Sequence, residues 1–154
     1  MDASLRAALN DYLRPLGFTG SLPHYRRIRG DRIDLLTVQH ALAGGCFVVE
    51  VAVCAPAGTR SAGQQIPPNK VTAHHIGWNR CRVGSPNFPR GDHWFMYGKP
   101  NYEPGSKRLR RARHYDRVAA RAVDAVASHA ITFWETAIPI DVDDPTTLRD
   151  PRSP

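Results

Sequence analysis

DRIDLLTVQHALAGGCFVVEVAVCAP, residues 31–56, decides the fold. It reads as two β-strands joined by the short turn Ala41-Leu42-Ala43-Gly44-Gly45, which is tight enough to make the pair antiparallel. Side chains alternate between the two faces of a strand, so Phe47, Val49, Val51 and Val53 share one face and Cys46, Val48, Glu50, Ala52 and Cys54 the other. The first face is wholly apolar and is expected to meet a core. Glu50 interrupts the second, which is expected to be partly exposed or to line a shallow site. The preceding strand divides in the same way, Ile33, Leu35 and Thr37 against Asp34, Leu36, Val38 and His40.

Working outward, Leu5, Ala8, Leu9, Tyr12, Leu13 and Leu16 recur at helical spacing, which predicts an amphipathic helix over 2–14 capped by Asp2 or Ser4 and stopped at Pro15-Leu16-Gly17. A strand follows at His24–Arg29 and turns at Gly30-Asp31. Residues 56–73 show neither period and read as a long loop. Short strands are expected within 74–83 and at His93–Tyr97. A long helix, from Arg108 or Ala112 to Ala137, presents Ala119, Val123, Val126, Ala130, Phe133 and Ala137, with Val118, Ala122, Ala127 and Trp134 beside them. The expected fold is α+β: one domain over 1–140, a mainly antiparallel sheet of about five strands, and an N-terminal and a long C-terminal helix packed on one face. Residues 141–154 read as a polar, acidic, Pro-rich tail.

The chain resembles an uncharacterised bacterial family catalogued as domain of unknown function 4304. The resemblance rests on Leu13-x-Pro15-Leu16-Gly17-Phe18, Tyr25-Arg26-Arg27, Val38-Gln39 and the alternating Phe47, Val49, Val51, Val53. It continues through Arg82-Val83-Gly84, Gly91-Asp92-x-Trp94-Phe95 and Phe133-Trp134-Glu135. It supports the fold and brings no established reaction. Small domains of this kind that accompany toxin or defence loci suggest, by analogy, an immunity or interaction role.

Composition excludes several classes. No apolar run approaches the roughly 20 residues of a membrane span, and the N-terminus lacks the apolar core of a secretory signal, so a cytoplasmic protein is expected. Three cysteines with no CxxC pair argue against a disulfide framework. His74, His75, Cys81 and His93 lack a second close ligand pair for zinc, and with Asn87 they miss the spacing and closing helix of an HNH nuclease. No GxSxG elbow appears, and Gly58-x-x-x-x-Gly63 lacks the Lys-Ser/Thr of a phosphate loop. No cofactor is implied, and the reading leans away from an enzyme.

Two constellations remain. Arg27 (or Arg26), Gln39, Glu50, Arg82 and Trp94 come from separate strands and could share the second sheet face, with Glu50 accepting from Arg82. They form either an internal network that fixes strand register or a ligand or partner site. Lys107, Arg108, Arg110, Arg111 and Arg113 make the densest basic run in a chain of net charge +7, which suits a solvated face, an acidic partner or a phosphate backbone. The leading expectation is a non-enzymatic domain that binds a protein partner. The alternative is a nucleic-acid-associated protein that uses the basic segment 107–121, with nuclease activity as a minor variant.

Overall fold

The computed structural model describes residues 1–105 and 110–139. Its centre is the strand pair β3 (Ile33–His40) and β4 (Cys46–Cys54), in unbroken antiparallel register from Ile33 opposite Cys54 to His40 opposite Phe47. The turn between them closes with Ala41 N–H and O bonded to Cys46 and Gly44, and Gly44 and Gly45 both adopt positive φ (+72° and +80°). Backbone of that hand suits glycine, which is why a GG pair stands there.

Before this pair come helix α1 (Asp2–Leu13), β1 (Thr19–Ser21) and β2 (His24–Ile28); β1 and β2 form a hairpin, and β2 lies along β3. No side-chain cap bonds the start of α1, so the expected Asp2 or Ser4 cap is not formed. On the far side of β4 lie β7 (Arg80–Arg82), opposite Glu50–Ala52, and β8 (Phe95–Met96), opposite Cys46 and Phe47. Among the described residues the sheet thus has six strands rather than about five: β1 is the addition, while β7 and β8 fall in the stretches 74–83 and His93–Tyr97 where strands are expected.

The apolar faces of β3 and β4 point where expected. Leu36, Val38, Phe47, Val49, Val51 and Val53 are buried against Leu5, Leu9 and Leu13 of α1 and against the C-terminal helical segment. That segment runs through α2 (Ala112–Ala125), a π-turn (Val126–Ala130) and α3 (Ile131–Thr136). It buries Val118, Ala119, Ala122, Val126, Ala130 and Trp134, while Val123, Phe133 and Ala137 sit at its margins and Ala127 is exposed. From Ala122 onward the buried positions are four apart. Four residues of α-helix overshoot a turn by about 40°, so a straight helix would carry that row off the sheet. The wider π-turn takes up the drift and returns Trp134 to the core.

The second face departs from expectation. Ile33, Leu35, Ala52 and Cys54 are fully buried under Val71, Ala73 and Ile76. The segment read as a loop contains a hairpin, β5 (Thr59–Ser61) with β6 (Gln64–Ile66), and a 3-10 turn at Ala73–His75. It folds back over one half of the sheet, and Thr59 is itself buried. A handful of apolar side chains without periodicity does the covering, so periodicity could not announce it. The tail 141–154 lies outside the described residues.

Candidate functional site

Strand register brings the polar side chains of the second face together at one level. His24 stands opposite Thr37, Thr37 opposite Glu50, and Glu50 opposite Arg82, so four neighbouring strands each present one polar side chain to the same side. Glu50 is buried, with 2% of its surface exposed. Arg82 Nε donates to Glu50 Oε1 at 3.2 Å, and Arg82 Nη1 donates to Asp92 Oδ1 at 2.7 Å. Asp92 Oδ2 accepts the Trp94 indole N–H at 3.0 Å, and the Arg82 guanidinium lies 5.4 Å from the Trp94 ring centroid. The Arg82 bond holds the Asp92 carboxyl below its ordinary range, and Asp92 and Glu50 in turn raise Arg82. Gly91, at φ +85°, aims this loop: a Cβ there would meet Ser85 Oγ at 2.5 Å. A shallow cleft of about 280 Å³ opens beside the cluster, lined by Glu50, Arg80, Arg82, Pro89, Gly91 and Asp92.

The other Glu50 oxygen is less well served. Oε2 lies 3.2 Å from His74 Nε2 and 4.0 Å from an Arg80 nitrogen, yet no donor is aligned for a hydrogen bond to it. Its compensation is therefore coulombic, a weaker arrangement for a buried carboxylate than a directed bond.

Of the residues expected in this cluster, Glu50, Arg82 and Trp94 meet. Arg27 does not: it is on the helix side of the sheet, where its Nε donates to Asp34 at 2.8 Å and its guanidinium lies over Phe18 at 5.0 Å. Alternation gives the place to the alternative, Arg26, which shares the face of Leu35 and Ala52. Gln39 is exposed at the end of β3, opposite Val48, two positions from the level of Glu50. Asp92, His74, His24 and Thr37 were missed. Asp92 had a signal, since it lies two residues before Trp94. His74 had none, because it arrives on a turn whose docking the sequence hides.

A second network, on the helix side, also went unread. Asp34 is completely buried and accepts from Arg27 and from Arg29 Nη2 at 3.2 Å, while Arg29 Nη1 reaches Glu135 at 3.1 Å. Arg29 and Arg32 donate to the Trp134 carbonyl, and Arg32 also to that of Ala137, closing the end of α3. Burial pushes the Asp34 carboxyl up and the two arginines pull it back. This network ties the sheet to the last helix.

Three of the five basic candidates fall among the described residues. Arg110, Arg111 and Arg113 are exposed at the start of α2, whose first turn holds no acidic residue and no side-chain cap. Lys107 and Arg108 lie outside the described residues. Among the described residues no group of three or more His, Cys, Asp or Glu could hold a metal ion. Burial pushes the Cys54 thiol up to about 12 and raises Cys46 and Cys81, an environment that withholds the thiolate. No helix among the described residues is long and apolar enough to cross a membrane.

Arg82 bridges the buried Glu50 and the exposed Asp92, so its loss leaves a carboxylate buried without its directed bond. Arg82→Ala is expected to cost about 2 to 3 kcal/mol. Pairing it with Glu50→Leu should recover much of that, as chemical denaturation of the four members of the cycle would show. A double variant as unstable as the sum of the singles would mean that the two side chains act independently.

No curated protein and no solved structure matches the chain. One family model does, over residues 9–135, from the first helix to the end of the last: the chain belongs to the family described as Domain of unknown function (DUF4304).

Proposed function

We propose that the domain works by binding a protein partner on the half of the second sheet face that residues 55–77 leave open. The supporting observation is the seating of Trp94. Phe95 turns into the helix-side core, so its neighbours Trp94 and Met96 face the other way, 37% and 53% exposed. Trp94 is bonded through its indole N–H to Asp92 and stacked with Arg82, and Arg82 is fixed on buried Glu50. Tryptophan, methionine and arginine are enriched at interface centres, and an anchor already held in place loses little entropy on binding. The ionic network is on this reading a mount for the aromatic anchor. The immunity-like role suggested by the family resemblance is one form of it.

Trp94→Ala is the test. A partner co-purifying after nuclease treatment should be lost with an affinity change of about 30-fold or more, the scale of an interfacial hot spot. The melting temperature should stay within about 5 °C, since an exposed side chain contributes little to folding. Capture that is indifferent to Trp94→Ala and Met96→Ala overturns the assignment of this face.

The exposed arginines at the start of α2 favour a second reading, association with nucleic acid. Phosphate contacts there would give a log–log salt slope of about −0.9 per contact on duplex DNA and −0.7 on single strands. Changing Arg110, Arg111 and Arg113 to Gln should flatten that slope by two to three contacts' worth. Absence of duplex or RNA binding at low salt removes this reading.

A further inference from the structure

The polar row has a second end, away from Trp94. His24 Nδ1 lies 3.1 Å from the Thr37 hydroxyl, which also accepts the Ala73 N–H at 3.3 Å. His74 stands edge-on to His24, ring centroids 5.9 Å apart, with its Nε2 facing buried Glu50. These contacts occupy one nitrogen of each ring and leave His24 Nε2 and His74 Nδ1 for something else. Arg26, two residues along the strand from His24, and Arg80, beside Glu50, add positive charge to the same face. Two imidazoles side by side, one backed by a buried carboxylate and both flanked by guanidiniums, are the components of acid–base chemistry on a phosphodiester. As structural filler the arrangement is poor. Glu50 keeps one oxygen without an aligned donor, and His24 and His74 give it no second bond.

The row supplies no nucleophile of its own. The cysteine thiols are held up by burial, and the one hydroxyl in the row, that of Thr37, is completely buried and already engaged. The substrate must therefore bring its nucleophile, and RNA brings its 2′-hydroxyl. We propose that His24 and His74 cleave RNA by transphosphorylation, with Arg26, beside His24, attracting the phosphate. His24 takes the proton from the 2′-hydroxyl as its oxygen bonds to phosphorus. The bond from phosphorus to the 5′-oxygen breaks, and that oxygen receives a proton from His74 Nδ1. The products are a 2′,3′-cyclic phosphate and a free 5′-hydroxyl, with no change of oxidation state and no co-reactant. Burial, together with the charges of His74, Arg26 and His75, lowers the pKa of His24, which keeps it neutral as the base requires. Glu50 Oε2, 3.2 Å from Nε2 of His74, holds that ring with its Nδ1 turned away from the carboxylate. The activity is separate from partner binding and does not need Trp94.

The experiment uses the full chain, a labelled single-stranded RNA and a DNA of the same sequence, with EDTA present. RNA should be cut to fragments ending in 2′,3′-cyclic phosphate, identified by mass, while DNA stays whole for want of a 2′-hydroxyl. His24→Ala and His74→Ala, purified identically and shown by thermal melting to be folded, should each lower the rate by about 100-fold or more. Should an alanine variant melt early, His24→Gln or His74→Gln, which keeps a polar group at the site, takes its place with the same expected loss. Intact RNA, equal cleavage of DNA, or histidine variants that cut at the full rate would each overturn the proposal.

Discussion

Val51→Asp should strip the fold of a large part of its stability. Val51 is completely buried at the middle of β4, between Leu36 on β3 and Cys81 on β7, and points at the helices. An aspartate there forfeits the burial of an isopropyl group, worth about 1.5 kcal/mol or more, and places a carboxylate where no donor waits. The expected loss exceeds about 4 kcal/mol, a large part of the 5 to 15 kcal/mol typical of a domain. For a chain of this size that corresponds to a fall in melting temperature of at least about 10 °C. Gln64→Asp, exposed on β6, is the matched control and should move it little. Equal losses would mean that the strand phase is wrong. Thr59 cannot serve as the control although it lies in the stretch read as loop, because it is buried.

The fold was legible where period and length agree. Eight residues of β3 and nine of β4 alternate between faces, and a GG turn of the right length joins them, so pairing and phase followed from the residues alone. Legibility ended where burial depends on partners distant in the chain. The second face of β4 was read as half open because of one residue, Glu50. Val48, Ala52 and Cys54 on that face are as buried as their opposites. What covers Ala52 and Cys54 is Val71, Ala73 and Ile76, three side chains within an irregular stretch that no periodic pattern marks.

The candidate site divides in the same way. Glu50 and Arg82 could be paired in advance, because a lone acid amid apolar strand residues needs a cation. Arg26 and Arg27 are adjacent, and a one-residue error in the start of β2 exchanges their faces. The pattern offers Arg27 with Arg26 as its alternative, and the structure gives the site face to Arg26. Asp34 offered the plainest missed inference. An acid inside IDLLTV must find a cation, and its two lie five and seven residues upstream across the hairpin. Glu135, a hundred positions away, had no local sign.

That network gives the second large effect, and an asymmetric one. Asp34→Ala removes the carboxylate that both Arg27 and Arg29 address, leaving two partly buried guanidiniums without their shared acceptor. The expected cost is about 3 to 5 kcal/mol, the scale of breaking a buried charge pair from one side. Arg27→Ala leaves Asp34 still paired with Arg29 and forfeits one charged bond and the stacking on Phe18, so about 1.5 to 3 kcal/mol is expected. In the double variant the Arg27–Asp34 contact can be lost only once. Its destabilisation should therefore fall short of the sum of the singles by about 1 kcal/mol or more. Urea denaturation of the four proteins, at a pH where Asp34 is ionised, measures all three quantities. Strict additivity, or an Arg27 effect equal to that of Asp34, would show that the carboxylate is not the hub of the network.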